Sequence, residues 1–294
     1  MVNLKLFLRT VMRLFAVLPL SSALALGRFI GWVLGSVIRR RRGYVLHTLE
    51  MCLPEKTAAE RASITDGMYR NLGVNTVEIA RLAGGRTSDL DARMTVEGEE
   101  HVRQALAGGK GALILTAHLG NWDLLGMYTA KRGYPLTIIS KVIKNEAIND
   151  LWMRLRKEFG VKIVPAHNSY RACLKVLKQN ELLGFILDTN RPRDAGIFVD
   201  FFGRPASTTP GLAFMSAQSG APVIPAFIHR EGLDRHVIRV LPALPPPPDR
   251  EEASIRQATQ EYTRIVEEEI RRYPEQWLWI HKRWKTQPLT EKTS

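Results

Sequence analysis

Two cysteines, Cys52 and Cys173, are all that the 294 residues contain. They are too few and too far apart for a disulfide framework or a thiolate metal site, and they suit a reducing compartment. No glycine-rich phosphate loop and no zinc-ligand cluster occurs, so no metal or cofactor is expected. There is no internal repeat. Acid is scarce as well: 29 Asp and Glu stand against 42 Lys and Arg, a formal net charge of +13. Such a balance favours anionic partners, whether phospholipid headgroups, an acidic carrier protein or nucleic acid. With 45% hydrophobic residues, the chain has enough apolar material for a large core.

A clean membrane span is also missing. Residues 14–27 and 29–38 are apolar, but Arg28 separates them and Arg39, Arg40, Arg41 and Arg42 follow. A single helix over residues 15–38 would cover roughly 36 Å, enough to cross. Arg28 near its middle would then cost about 2.5–3.5 kcal/mol. A helix or helical pair lying partly in the interface avoids that cost and leaves the arginine block among anionic headgroups on the cytoplasmic side. Residues 1–42 are therefore read as a membrane anchor or interfacial helix, 43–288 as the main domain and 289–294 as a tail. The arginine block also argues against nucleic acid, because it abuts an apolar run and does not line a groove with stacking aromatics.

From residue 58 to 82 the apolar positions Ile64, Met68, Leu72, Val77, Ile79 and Ala80 recur at helical spacing. Beyond them, short apolar runs at 111–117, 135–140, 161–164, 182–187, 222–228 and 236–241 read as strands. Helical stretches at 121–132, 146–159, 168–179 and 210–219 lie between, and a final amphipathic helix over 251–272 stops before Pro274. This alternation predicts an α/β fold, with a mostly parallel central sheet flanked by helices. At least five strands are expected.

The chemistry concentrates in GALILTAHLGNWDLLGMY, residues 111–128. His118 stands at the end of a buried strand, and Asp123 falls in the first turn of the next helix, beside the crevice where open α/β sheets bind ligands. A carboxylate at that spacing can accept the imidazole N–H, leaving the other ring nitrogen to take a proton from a hydroxyl. Backbone N–H groups around Gly120 and Asn121, at the positive end of that helix, are expected to stabilise an oxyanion. Trp277, Trp279 and Trp284 interleave with His281, Lys282 and Arg283 in a strip that reads as interfacial, with His281 and Arg283 facing headgroups or substrate phosphates.

Three blocks in order, HLGNWD (118–123), LDTNRPRDAGIFVDFFGRPASTTPG (187–211) and PEQWLWIHKRWKTQP (274–288), resemble the bacterial lipid A biosynthesis (lauroyl/myristoyl) acyltransferases. The family's motif usually carries glutamate where Asp123 stands; the aspartate form is similar to the wider glycerophospholipid acyltransferases. The resemblance implies that His118 is the base, Asp123 its partner and Asp188 a further active-site acid. It implies substrate or phosphate contacts for Arg154, Asn145 and Thr208, with Arg156 beside them and Lys141 where an arginine is the usual residue. It further implies an acyl carrier protein partner, an acyl-ACP or acyl-CoA thioester as co-substrate, an anionic glycolipid or phospholipid acceptor, and residence on the cytoplasmic face of the bacterial inner membrane. A hydroxyl of a lipid A precursor is the leading acceptor. A lysophospholipid, a phosphoinositol mannoside or an aminolipid remains open, as do a thioesterase and a basic binding protein without catalysis.

Overall fold

The computed structural model describes residues 2–289, so the tail beyond Leu289 lies outside the described residues. The N-terminal apolar segment forms two helices, α1 (Val2–Val17) and α2 (Leu20–Trp32), and a π-helical turn at Val33–Val37. Helices α3 (Arg42–Cys52) and α4 (Ala58–Ala83) follow. A capping box starts α4: the Thr57 hydroxyl accepts the Glu60 backbone N–H at 3.2 Å, and the Glu60 carboxylate accepts that of Thr57 at 2.7 Å. Helix α2 packs on α4 at backbone distance, since a Cβ on Gly31 would fall 2.2 Å from the Tyr69 carbonyl oxygen. The contact crosses the boundary at residue 42.

Seven strands form the main sheet: β1 (Met94–Glu97), β2 (Ala112–Thr116), β3 (Leu136–Ser140), β4 (Lys162–Pro165), β5 (Leu182–Ile186), β8 (Val223–Glu231) and β9 (Arg235–Val240). Their order is β1-β9-β8-β2-β5-β3-β4. All neighbours are parallel except β8 and β9, which form a hairpin. The helices are α5 (Glu99–Ala107), α6 (Trp122–Lys131), α7 (Glu146–Glu158), α8 (Tyr170–Lys178), α9 (Gly211–Ser219) and α10 (Glu252–Arg272). Every strand predicted from the apolar runs is present. The elements that were not predicted are α3, β1, α5 and the small hairpin β6 (Ile197–Asp200) with β7 (Pro205–Thr208). Each of the three strands has only four residues, too few to show a period.

Alternate residues of the strands feed two cores. Leu113, Leu115, Leu183, Phe185 and Phe227 pack with α8, α9, α10 and the C-terminal tryptophans. Ala112, Ile114, Leu182, Ala226 and Ile238 face α5, α6 and α7. Burial of both faces explains why the strands read as unbroken apolar runs.

Candidate active site

Strands β2 and β5 are parallel neighbours, with Thr116 opposite Ile186. Both segments leave the sheet side by side, so His118 and Asp188, each two residues further on, meet at its carboxyl edge. His118 Nδ1 lies 2.8 Å from Asp188 Oδ1. The His118 backbone N–H donates to Asp188 Oδ2 at 2.8 Å, and the Trp277 indole N–H donates to the same oxygen at 2.7 Å. Burial alone would raise the Asp188 pKa, but the His118 charge and these hydrogen bonds hold it below the ordinary carboxylate range. Burial would lower the pKa of His118; the Asp188 carboxylate outweighs it, with a smaller contribution from Asp123, and the pKa is raised. With an ionised Asp188 accepting, Nδ1 carries the proton and Nε2 keeps its lone pair.

The ring sits between Trp122, 4.9 Å away edge-on, and His281, also 4.9 Å away between centroids. All three line a cavity of about 800 Å³. It passes over the sheet between Ile114, Ile138 and Ile186 on the strands and Leu125 and Met127 on α6. Its lining is mainly apolar, while Lys141, Asn168, Tyr170, Arg191 and Thr209 add polar groups. An imidazole with a free ring nitrogen at a mainly apolar cavity of this volume can accept a proton beside a substrate with a chain to bury.

Residues 4–286 match the model of the bacterial lipid A biosynthesis acyltransferases. The chain belongs to that family. It is 27% identical to a lipid A biosynthesis acyltransferase of Haemophilus influenzae over 85% of this chain and 78% of that protein. The lipid A biosynthesis palmitoleoyltransferase of Escherichia coli is also 27% identical, over 96% of this chain and 90% of its own length. A phosphatidylinositol mannoside acyltransferase of Mycobacterium tuberculosis matches at 27% over 64% of this chain and 59% of its own. The chain is an acyltransferase with a lipid acceptor.

In this acyltransferase the imidazole is not held by Asp123. Asp123 Oδ1 accepts from Arg156 Nη2 at 2.6 Å, Arg156 Nε at 3.1 Å and Trp152 Nε1 at 3.1 Å. The first turn of α6 aims that carboxylate across at α7, and Asp188 already occupies Nδ1. Arg156 lines the cavity, with Nε and Nη2 held by Asp123 and its remaining Nη1 donating to Ser140 Oγ at 3.1 Å. Gly120 is corrected too: its N–H is committed to the Gln276 carbonyl at 3.0 Å and is not free for an oxyanion. Asn121 caps α6, accepting from Leu124 N at 3.3 Å.

The remaining predicted residues divide. Lys141 and His281 line the cavity. Asn145 caps α7, accepting from Ile148 N at 3.1 Å, and Arg154 is exposed; neither lines the cavity. Thr208 and Arg283 are buried and bonded to each other, and Arg283 Nη1 donates to the Ser207 carbonyl at 2.8 Å. They lock the C-terminal segment to β7 and are not available to a phosphate. Trp277, Trp279 and Trp284 are buried as well, not interfacial, because they pack with Phe201 and Phe202.

A buried polar network beneath the loop was missed. Glu78 of α4 accepts from both Arg230 terminal nitrogens at 2.6 and 2.8 Å, from Asn121 Nδ2 at 3.0 Å and from Arg93, and lies 2.9 Å from His236 Nε2. Asn75 Nδ2 donates to the Gly120 carbonyl at 2.6 Å. Burial would raise the Glu78 pKa; His236 and Arg230 hold it well below the usual range. An acid and an asparagine on the inner face of α4 were the available signal. Arg191, also missed, has a side chain with no hydrogen-bond or carboxylate partner among the described residues.

Proposed function

We propose that the protein transfers a fatty acyl group from an acyl-carrier-protein or coenzyme A thioester to a hydroxyl of a lipid A precursor. The observation that carries the reading is a bare imidazole nitrogen, fixed by Asp188, at an apolar cavity of about 800 Å³. The acceptor hydroxyl gives its proton to His118 Nε2 as its oxygen attacks the thioester carbonyl. The tetrahedral intermediate then expels the thiolate, which takes the proton back from the imidazolium. General-base help of this kind is worth roughly 10²–10⁴ in rate. The positive end of α6, beginning at Trp122 beside the ring, favours the developing oxyanion. Lys141 and Arg191 supply positive charge for an anionic headgroup or for the donor's phosphate.

Exposed Phe7, Leu14, Phe29, Trp32 and Val37, interspersed with Arg9, Arg13 and Arg28, support an enzyme seated on the cytoplasmic face of the inner membrane. Leu20–Val37 is long and apolar enough to cross by length and composition, but α2 is bound to α4 along one side. The mycobacterial relative supports a second reading, the same chemistry on a phosphatidylinositol mannoside. The test is a lipid profile of a strain lacking the gene, paired with transfer by the purified protein. Loss of one acyl chain from lipid A, restored by wild type and not by His118→Ala, is expected. An unchanged lipid A alongside another lipid missing one chain would redirect the acceptor assignment.

A further inference from the structure

Two residues lining the cavity stand where glycine is otherwise a poor choice. Gly126 lies in the middle of α6 and Gly184 in the middle of β5, and glycine inside a regular element weakens it relative to alanine. Neither has a left-handed backbone. Neither is pressed by neighbouring main chain: a Cβ on Gly126 would meet only Leu136 Cδ2, at 3.7 Å. On Gly184 the nearest atoms would be Ile138 Cγ2 at 3.2 Å, the Thr137 carbonyl at 3.7 Å and Leu136 Cδ1 at 3.8 Å. Gly111 and Gly120 differ, with positive φ and main-chain oxygens within 3 Å of the added carbon. Both positions line the cavity, where a side chain would meet only the ends of Leu136 and Ile138 and, at 184, the Thr137 carbonyl before entering it.

Both added carbons would lie within 4 Å of the Leu136 side chain, so the two glycines face the same section of the cavity from opposite walls, helix and sheet. We propose that Gly126 and Gly184 form a waist that sets the length of the acyl chain accepted, with carbons past it lying toward Val161 and Leu182. The proposal rests on the acyl-transfer reading of the site. In register Gly184 is opposite Ile114, four residues before His118. That depth is about 13 Å at a strand rise of 3.3 Å per residue, or on the order of ten carbons of an extended chain with bonds of ~1.5 Å. Shorter chains end before the waist and longer ones thread it. Each methylene refused a buried place costs about four-fold in kcat/KM, so a sixteen-carbon chain with about six carbons past a closed waist loses on the order of 10³-fold against a ten-carbon chain.

The test uses full-length Gly126→Leu and Gly184→Val in detergent micelles, with Gly126→Ala and Gly184→Ala as milder versions. Acyl thioesters of carrier protein and coenzyme A with eight to sixteen carbons are offered with a phosphorylated glucosamine-disaccharide lipid, and the unfolding temperature is measured with free fatty acids of the same lengths. The bulky variants are expected to lose transfer of fourteen- and sixteen-carbon chains at least about 100-fold relative to ten-carbon chains, while ten-carbon transfer stays within about three-fold. Stabilisation by palmitate, but not by decanoate, is expected to fall with it. If the bulky variants do not fold, the alanine variants are expected to show the same bias, about four-fold per methylene displaced. A folded variant with the wild-type length profile in both measurements overturns the waist. If wild type transfers to no lipid yet the fatty-acid stabilisation is truncated in the variants, the acyl-transfer reading fails and the waist stands.

Discussion

Asp188→Asn isolates what the carboxylate does for His118. Asp188 Oδ2 accepts two N–H groups, from the His118 main chain and the Trp277 indole. An asparagine amide must therefore keep its oxygen there and turn its NH2 toward Nδ1. Nδ1 then has to accept, the ring proton moves to Nε2, and the nitrogen facing the cavity is no longer a base. Loss of the carboxylate from a histidine–acid pair in this way costs about 10⁴ in kcat. The pH profile carries the second signature. Transfer needs unprotonated Nε2, so the acidic limb of kcat/KM in wild type lies above the ordinary 6.5, because Asp188 raises the His118 pKa. With asparagine the field is gone, and the residual rate has its limb at lower pH. The assay is transfer from a radiolabelled acyl thioester between about pH 5 and 9, with Asp123→Asn as comparator. Asp123 reaches the ring only through its field, so that variant is expected to shift the limb slightly and lose far less rate. Equal losses in two folded variants, or an Asp188→Asn enzyme within ten-fold of wild type, would refute the assignment.

Glu78→Gln leaves Arg93 and Arg230 beneath the loop without their carboxylate and is expected to cost about 3–5 kcal/mol in denaturant unfolding. Since the Glu78 pKa is held well below 4.5, that contribution is complete above about pH 4.5 and fades only as the pH falls through the folded value, so the gap between wild type and variant should narrow only in acid. Gly120→Ala sets a Cβ 2.2 Å from the Ile228 carbonyl at a φ of 56°; about 1–3 kcal/mol of strain and a fall in kcat are expected together, read by thermal unfolding and transfer rate. The double change Phe29→Asp and Trp32→Asp on the exposed side of α2 is expected to weaken sedimentation with anionic vesicles while leaving the unfolding temperature near that of wild type.

The parallel sheet was legible because its strands are apolar on both faces and separated by helices of readable period. The histidine was legible for the same reason, as the polar residue that ends a buried run. Its hydrogen-bonding acid was taken to be Asp123, near in sequence, while Asp188 was named only as a further acid through the resemblance, because it is 70 residues away and reaches Nδ1 only once β2 and β5 pair. Arg283 was misread for a related reason: a cation in an aromatic strip looks like a headgroup contact until the strip folds inward and the guanidinium finds Ser207 and Thr208. The Glu78 network left only an acid and an asparagine on the inner face of α4 as its trace in the sequence, since its other members come from the loop before β1, β8, β9 and the motif loop.

The division of labour within HLGNWD follows from that geometry. Two adjacent strands joined by a five-residue ladder fix the separation of His118 and Asp188 more firmly than a flexible loop holding both could. The carboxylate is then clamped by an indole and a main-chain N–H, so the imidazole is oriented before any substrate arrives. Asp123 serves the cavity instead. By binding Arg156 and Trp152 it fastens the start of α6 to α7, and α6 is the wall opposite the sheet, the one that carries Leu125, Gly126 and Met127. The five-residue spacing thus sets the imidazole at the sheet edge and the carboxylate on the first turn of that wall, which ties the position of His118 to the position of the cavity wall.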